Sequence, residues 1–175
     1  MRNNQIRKLA YAALFLALGL VLPFLTGQIP EIGSKLCPMH LPVLMCGLLL
    51  GPHYGALVGL ITPLLRSLMF GMPPMYPGAV AMAFELCTYG LVIGLVYRMF
   101  RKKNTAAVYC ALLLAMILGR IVWGLARYVM MAIQGGKFTM SAFIAGAITG
   151  SIPGILLQLV LIPLIMYLLK NRAFD

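Results

Sequence analysis

The chain has 175 residues, 62% of them hydrophobic and 10% charged, with a net charge of +11 and a mean hydropathy of +0.98. Soluble domains are roughly a quarter charged, so this composition excludes a water-soluble globule and predicts a single all-α integral membrane domain over residues 1–175. The positive balance resembles a nucleic-acid signal, but its distribution along the chain is explained by membrane topology, and no nucleic-acid partner is expected.

A membrane span needs about 20 apolar residues, with a range of roughly 17 to 25. Segment one, about 8–26, follows Arg2, Arg7 and Lys8. It is longer than a signal-peptide core and lacks a small-x-small cleavage site, so it is kept as a span. A polar loop over 27–40 carries Glu31 and Lys35. Segment two, about 41–50, is short and stops at Gly51-Pro52, a strong breaker pair. Segment three, about 54–72, contains Pro63, which predicts a kink. Met72-Pro-Pro-Met-Tyr-Pro77 cannot continue a helix. Segment four, about 78–98, leads into the basic run Arg101-Lys102-Lys103; segment five covers about 106–133 and segment six about 141–169.

Most of the fourteen basic residues lie in the N-terminal stub, the 98–103 loop and the C-terminal tail, whereas the alternate loops hold only Lys35 and Lys137. Short-loop Lys and Arg mark the cytoplasmic side. The expectation is six transmembrane helices with both termini cytoplasmic, residues 41–72 crossing twice or dipping in as a re-entrant hairpin.

That topology sorts the intramembrane charges by depth. Arg66, Glu85, Arg120 and Arg127 all fall between the midplane and the outer face. Three cations against one anion leave an excess of positive charge in a low-dielectric place, which an anion or a wet cavity must compensate. At about 100° per residue, Arg120, Gly124, Arg127 and Met131 share one helical stripe with Trp123 on its shoulder. Arginine presents a fork that matches carboxylate or phosphate. Trp123 offers a flat face, and Tyr76, Tyr89 and Tyr128 can add hydroxyls or stacking. Arg66, Glu85, Tyr89, Arg120, Trp123 and Arg127 are therefore the candidate substrate-binding residues. The competing reading pairs the arginines with Glu85 or with backbone carbonyls, so that they only hold helices together.

Catalytic chemistry is poorly provided for. The chain has no Gly-x-Ser-x-Gly, no His-Glu-x-x-His and no Walker lysine loop, and only three carboxylate side chains. It is not expected to be an enzyme or to hydrolyse ATP itself, and no cofactor is expected. Cys37, Cys46, Cys87 and Cys110 show no CxxC pairing. Cys37 and His40 sit close together, but without further ligands at metal-site spacing no metal is expected. On segment one, Ala13 and Ala17 put small side chains one turn apart, a spacing that lets another helix dock closely or packs internally.

With its basic lead into Ala13-x-x-x-Ala17 and the stretch from His40 to Gly55 carrying the Gly51-Pro52-x-x-Gly55 turn, the chain resembles the substrate-binding S-component of energy-coupling factor (ECF) vitamin transporters of bacteria and archaea. The resemblance covers essentially the whole chain. It implies capture of a vitamin or precursor from outside, beneath a gate formed by loop 27–40. It also implies docking through Ala13 and Ala17 onto a membrane coupling subunit joined to two cytoplasmic ATPases, in a bacterial or archaeal cell membrane. The arginines favour an acidic ligand. The competing class is a scaffold subunit of a cell-envelope complex; a secondary transporter is disfavoured by the lack of an inverted repeat and of membrane carboxylates.

Overall fold

A computed structural model describes residues 2–26, 36–102, 104–136, 139–147 and 151–172. The expected gate residues Glu31 and Lys35 lie outside these, as do Lys103, Lys137, Thr149 and Gly150. The described residues form seven α-helices: α1 Arg2–Val21, α2 His40–Leu50, α3 Pro52–Phe70, α4 Val80–Met99, α5 Thr105–Ile133, α6 Met140–Ala147 and α7 Ile152–Arg172. A 3₁₀ turn, Leu22–Thr26, extends α1, and a π turn, Met75–Ala79, leads into α4.

Four stretches are long and apolar enough to cross a membrane: Asn4–Leu25, Met75–Met99, Thr105–Ile133 and Ile152–Leu169. Helix α2 has only 11 residues, and the 19 of α3 are diluted by Pro52, His53, Pro63 and Arg66. Helix α3 runs unbroken through Pro63. The segment expected as one helix over 141–169 is two, α6 and α7, with Pro153 in the first turn of α7. Proline is tolerated there because the first helical N–H groups have no intrahelical partner.

Local chemistry sets the boundaries. Gly51 ends α2 at φ +106°, a conformation that side chains disfavour, and its N–H closes onto the Gly47 carbonyl. Pro52 then starts α3 in the position where its missing N–H costs nothing. Gly71, at φ +69°, caps α3 through the Ser67 carbonyl, and Pro73 and Pro74 follow. Asn104 caps α5 by accepting a hydrogen bond from Ala107 N–H at 3.0 Å. At 29 residues and a rise of 1.5 Å each, α5 is about 43 Å long.

The centre is a three-helix contact of α2, α3 and α4 made backbone to backbone. A Cβ added at Gly47 would sit 2.6 Å from the Gly90 carbonyl oxygen, one at Gly55 would sit 2.7 Å from Gly47 Cα, and one at Gly94 2.6 Å from the Pro52 nitrogen. In a bilayer no hydrophobic drive pushes helices together, so glycines that permit this approach supply the packing. Val43, Leu44, Cys46, Leu86 and Ile93 are fully buried around the contact, and Ala111, Leu112 and Ala115 bring α5 onto it. At one end of the unit, Arg98 Nη2 donates to the Leu50 carbonyl at 3.3 Å, placing a cation on the C-terminus of α2. At the other end α1 and α3 finish while α2 and α4 begin.

Backbone atoms cannot swing aside as a side-chain tip can. Gly47→Val is therefore expected to destabilise the bundle by on the order of 1–3 kcal/mol, read as a melting temperature several degrees lower in detergent. Gly78→Ala, where an added Cβ meets nothing closer than 3.7 Å, is expected to leave it unchanged.

Candidate ligand-binding site

The end opposite Arg98 gathers most of the polar side chains predicted from sequence. Glu85, in the second turn of α4, is 1% exposed. Its Oε1 lies 3.0 Å from Arg120 Nη1 and 3.5 Å from His40 Nε2. Tyr89 follows one turn later on the same face of α4. Its ring covers Gly119 of α5, where any Cβ would collide with it, and meets His40 edge to face at 5.2 Å. Arg120 Nη2 also donates to Cys37 Sγ at 3.9 Å. Cys37 holds φ +48°, an uncommon setting for a residue other than glycine, and its carbonyl accepts from His40 N–H at 3.0 Å, turning the chain into α2. Ser151 reaches Cys37 from the start of α7 and donates to the Gly146 carbonyl at 3.0 Å.

Two turns beyond Arg120 on α5, the Arg127 guanidinium lies 5.7 Å from the Trp123 ring centroid, a cation–π arrangement. Trp123 stacks at a tilt on Phe143 of α6, with centroids 6.3 Å apart. Gly146 packs against the indole, and Phe143 against Gly124. The short helix α6 thus covers the indole beside Arg127.

Arg66 takes a different place. Although 3% exposed, it donates from Nη1 to the Leu20 carbonyl at 2.6 Å, and its guanidinium lies 5.1 and 5.4 Å from the Phe24 and Phe70 rings. It fastens the end of α1 to α3, and among the described residues no ion pair joins it to Glu85. Tyr76 donates to the Met130 carbonyl at 3.2 Å, and Tyr128 is 58% exposed. The structure therefore brings together Glu85, Tyr89 and Arg120, sets Trp123 and Arg127 beside them along α5, and holds Arg66 elsewhere.

Sequence reasoning passed over His40 and Cys37 as members of this cluster, treating them only as a metal pair. A usable signal existed: His40 opens the apolar run of α2, and a residue at that helix start shares its depth with Glu85 near the start of α4.

Among the described residues, the buried side-chain nitrogens and oxygens without a hydrogen bond are His40 Nδ1 and Nε2, Glu85 Oε1, Arg120 Nε and Arg127 Nε. Glu85 Oε1 has its charge contacts but not hydrogen-bond alignment. Such atoms are rare in folded interiors, and their concentration at one end marks a place that can take up further polar contacts. A larger cleft of about 1170 Å³ opens towards the Arg98 end between α1, α2 and α7, beside Tyr11, Leu14, Tyr97, Pro163 and Tyr167. Its lining includes no Arg, Lys, His, Asp or Glu, so it offers an acid no charged partner.

Long apolar helices that gather charged side chains at one end are the build of a multi-pass membrane protein. The family model described as the ECF transporter substrate-specific component matches residues 7–171, and the chain belongs to that family. A comparison with curated proteins finds no match. Members of the family are substrate-binding transporter subunits, not enzymes, and the family implies association with an ECF module of a membrane subunit and ATPases.

Removing one partner of a buried ion pair leaves the other charge uncompensated, at a cost of about 3–5 kcal/mol. Glu85→Ala is expected to lower the melting temperature markedly. Glu85→Ala combined with Arg120→Met is expected to be less damaging than the two single effects added, a coupling that a double-mutant cycle of melting temperatures reads directly.

Proposed function

We propose that this protein captures a small acidic vitamin or precursor from outside the cell and delivers it inward after docking on an ECF coupling module. The observation that carries the reading is the position of the buried charge. Arg120 and Arg127 share a site with the single carboxylate of Glu85, at the bundle end remote from Arg98, Arg101 and Lys102. The basic end is cytoplasmic by the charge rule, so the cluster faces outward, in a bacterial or archaeal cell membrane. Six spans, with α2 as the short one and α6 with α7 completing the last, fit both termini on the cytoplasmic side.

Helix α1 suits the docking role. Ala12 and Gly19 turn inward, Gly19 against Thr62, whereas Ala13 and Ala17 are exposed. A partner helix can approach that face closely; the partner is the membrane coupling subunit, itself joined to two ATPases. The scaffold reading gains Arg66, whose contacts with Leu20, Phe24 and Phe70 hold helices together, but it leaves Arg127 with no comparable task.

Purified protein screened against water-soluble vitamins is expected to gain about 2.7 kcal/mol from a ligand at a hundredfold over its Kd, visible as a raised melting temperature. A folded protein that no vitamin stabilises would turn the reading towards the scaffold. Ala13→Trp with Ala17→Trp is expected to keep this binding and abolish uptake by cells; unchanged uptake would remove the docking role.

A further inference from the structure

The geometry points to the chemical class of the ligand: an elongated monocarboxylate, its carboxylate on Arg127 and a neutral group bearing N–H or O–H on the Glu85–His40 pair about 10 Å away. The inference rests on the capture reading above and deepens it.

Charge comes first. Of the three candidate arginines within the apolar helices, Arg66 is engaged by the Leu20 carbonyl between two aromatic rings, and Arg120 stands 3.0 Å from the Glu85 carboxylate. Arg127 meets only the Trp123 ring among the described residues, and its Nε is buried without a hydrogen bond. Counting the guanidinium and carboxylate charges of the described residues, the cluster of Glu85, Arg120 and Arg127 is left with one positive charge. One carboxylate balances it, and the planar fork suits that shape.

The distance comes from the helix. Arg120 and Arg127 are seven residues apart on unbroken α5, which places them on one face and about 10 Å apart along the axis. Glu85 and His40 lie level with Arg120, so the ligand must reach from the Arg127 guanidinium to them.

The deep end fixes the rest. Glu85 Oε1 accepts hydrogen bonds only, whereas the imidazole of His40 can donate or accept, and both residues are at least 98% buried with polar atoms that make no hydrogen bond. An amide, ureide or hydroxyl satisfies them. A second carboxylate or a phosphate would face the Glu85 charge at short range in a low-dielectric place and is rejected. A short acid cannot span the distance.

The test uses the full chain in detergent, with binding read by calorimetry and thermal shift. The probes are pantothenate and biotin (long monoacids with amide, hydroxyl or ureide groups), nicotinate (a short monoacid), folate (a diacid), pyridoxal phosphate and thiamine. Panthenol and biotinamide serve as the neutral analogues. One of the two long monoacids is expected to bind, and its neutral analogue to bind at least tenfold more weakly. In Arg127→Gln the acid is expected to lose at least tenfold while the neutral analogue is unchanged, so that the preference disappears; Arg127→Lys, which keeps the charge, is expected to retain part of it. Should Arg127→Gln fail to fold, a lysine variant that shows no acid preference at all, or one equal to the parent's, overturns the role of the fork. Binding of folate, pyridoxal phosphate, nicotinate or thiamine in place of a long monoacid overturns the ligand class and leaves capture standing. An acid preference undiminished in a folded Arg127→Gln overturns the anchor. No binding by any of these probes to folded protein overturns the inference, and the capture reading falls with it only if the wider vitamin screen is also empty.

Discussion

A carboxylate 1% exposed inside an apolar bundle needs a charged or polar partner to offset its lost hydration, and the pairing of Glu85 with Arg120 meets that demand. The pair settles more than its own charge. It sets the rotation of α4 against α5, because both side chains must face the same seam, and it draws the first residue of α2 in through His40. With Cys37 and Ser151 attached through the Arg120 side of the cluster, the beginnings of α2 and α7 are referred to the same point. A buried ion pair is weak evidence for net stability, because desolvation offsets much of the attraction. Its effect here is on which arrangement of helices is allowed.

The glycine contact of α2, α3 and α4 works by the opposite physics, with no polar specificity and maximal closeness of backbones. Gly47, Gly55, Gly90 and Gly94 let three helices occupy a space that any larger residue would deny them. The bundle thus has one wall locked by main-chain contact. The other wall is built of α5, α6 and α7 and is positioned by side chains: Tyr89 over Gly119, Phe143 over Gly124, Trp123 against Gly146. The polar cluster lies on the seam between the two kinds of wall.

Much of this was legible in the chain because membrane helices announce themselves by apolar runs and punctuation. Gly51-Pro52 and the Pro73-Pro74 turn placed boundaries within a few residues of those observed. The division into α6 and α7 was not expected, because the run from 141 to 169 is mostly apolar and hydropathy does not register where one helix ends and the next begins; Ser151-Ile-Pro-Gly154 was the local signal. Depth counting put Glu85 and Arg120 in the same half of the bilayer, between the midplane and the outer face. The same counting gives height but not azimuth, which is why Arg66, at a suitable depth, points to Leu20. Pro63 lies within the continuous helix α3, with the adjacent Thr62 hydroxyl donating to the Val58 carbonyl at 2.6 Å.

Trp123 is the only tryptophan of the chain, and it lies one turn from Arg127 with its ring under the guanidinium. All indole emission from this protein therefore originates at one spot, between a cation on one side and Phe143 with Gly146 on the other. Indole fluorescence is sensitive to nearby charge and to water, so the unlabelled protein carries its own optical probe, local to the seam where α5 meets α6 and unobscured by any second emitter of its type.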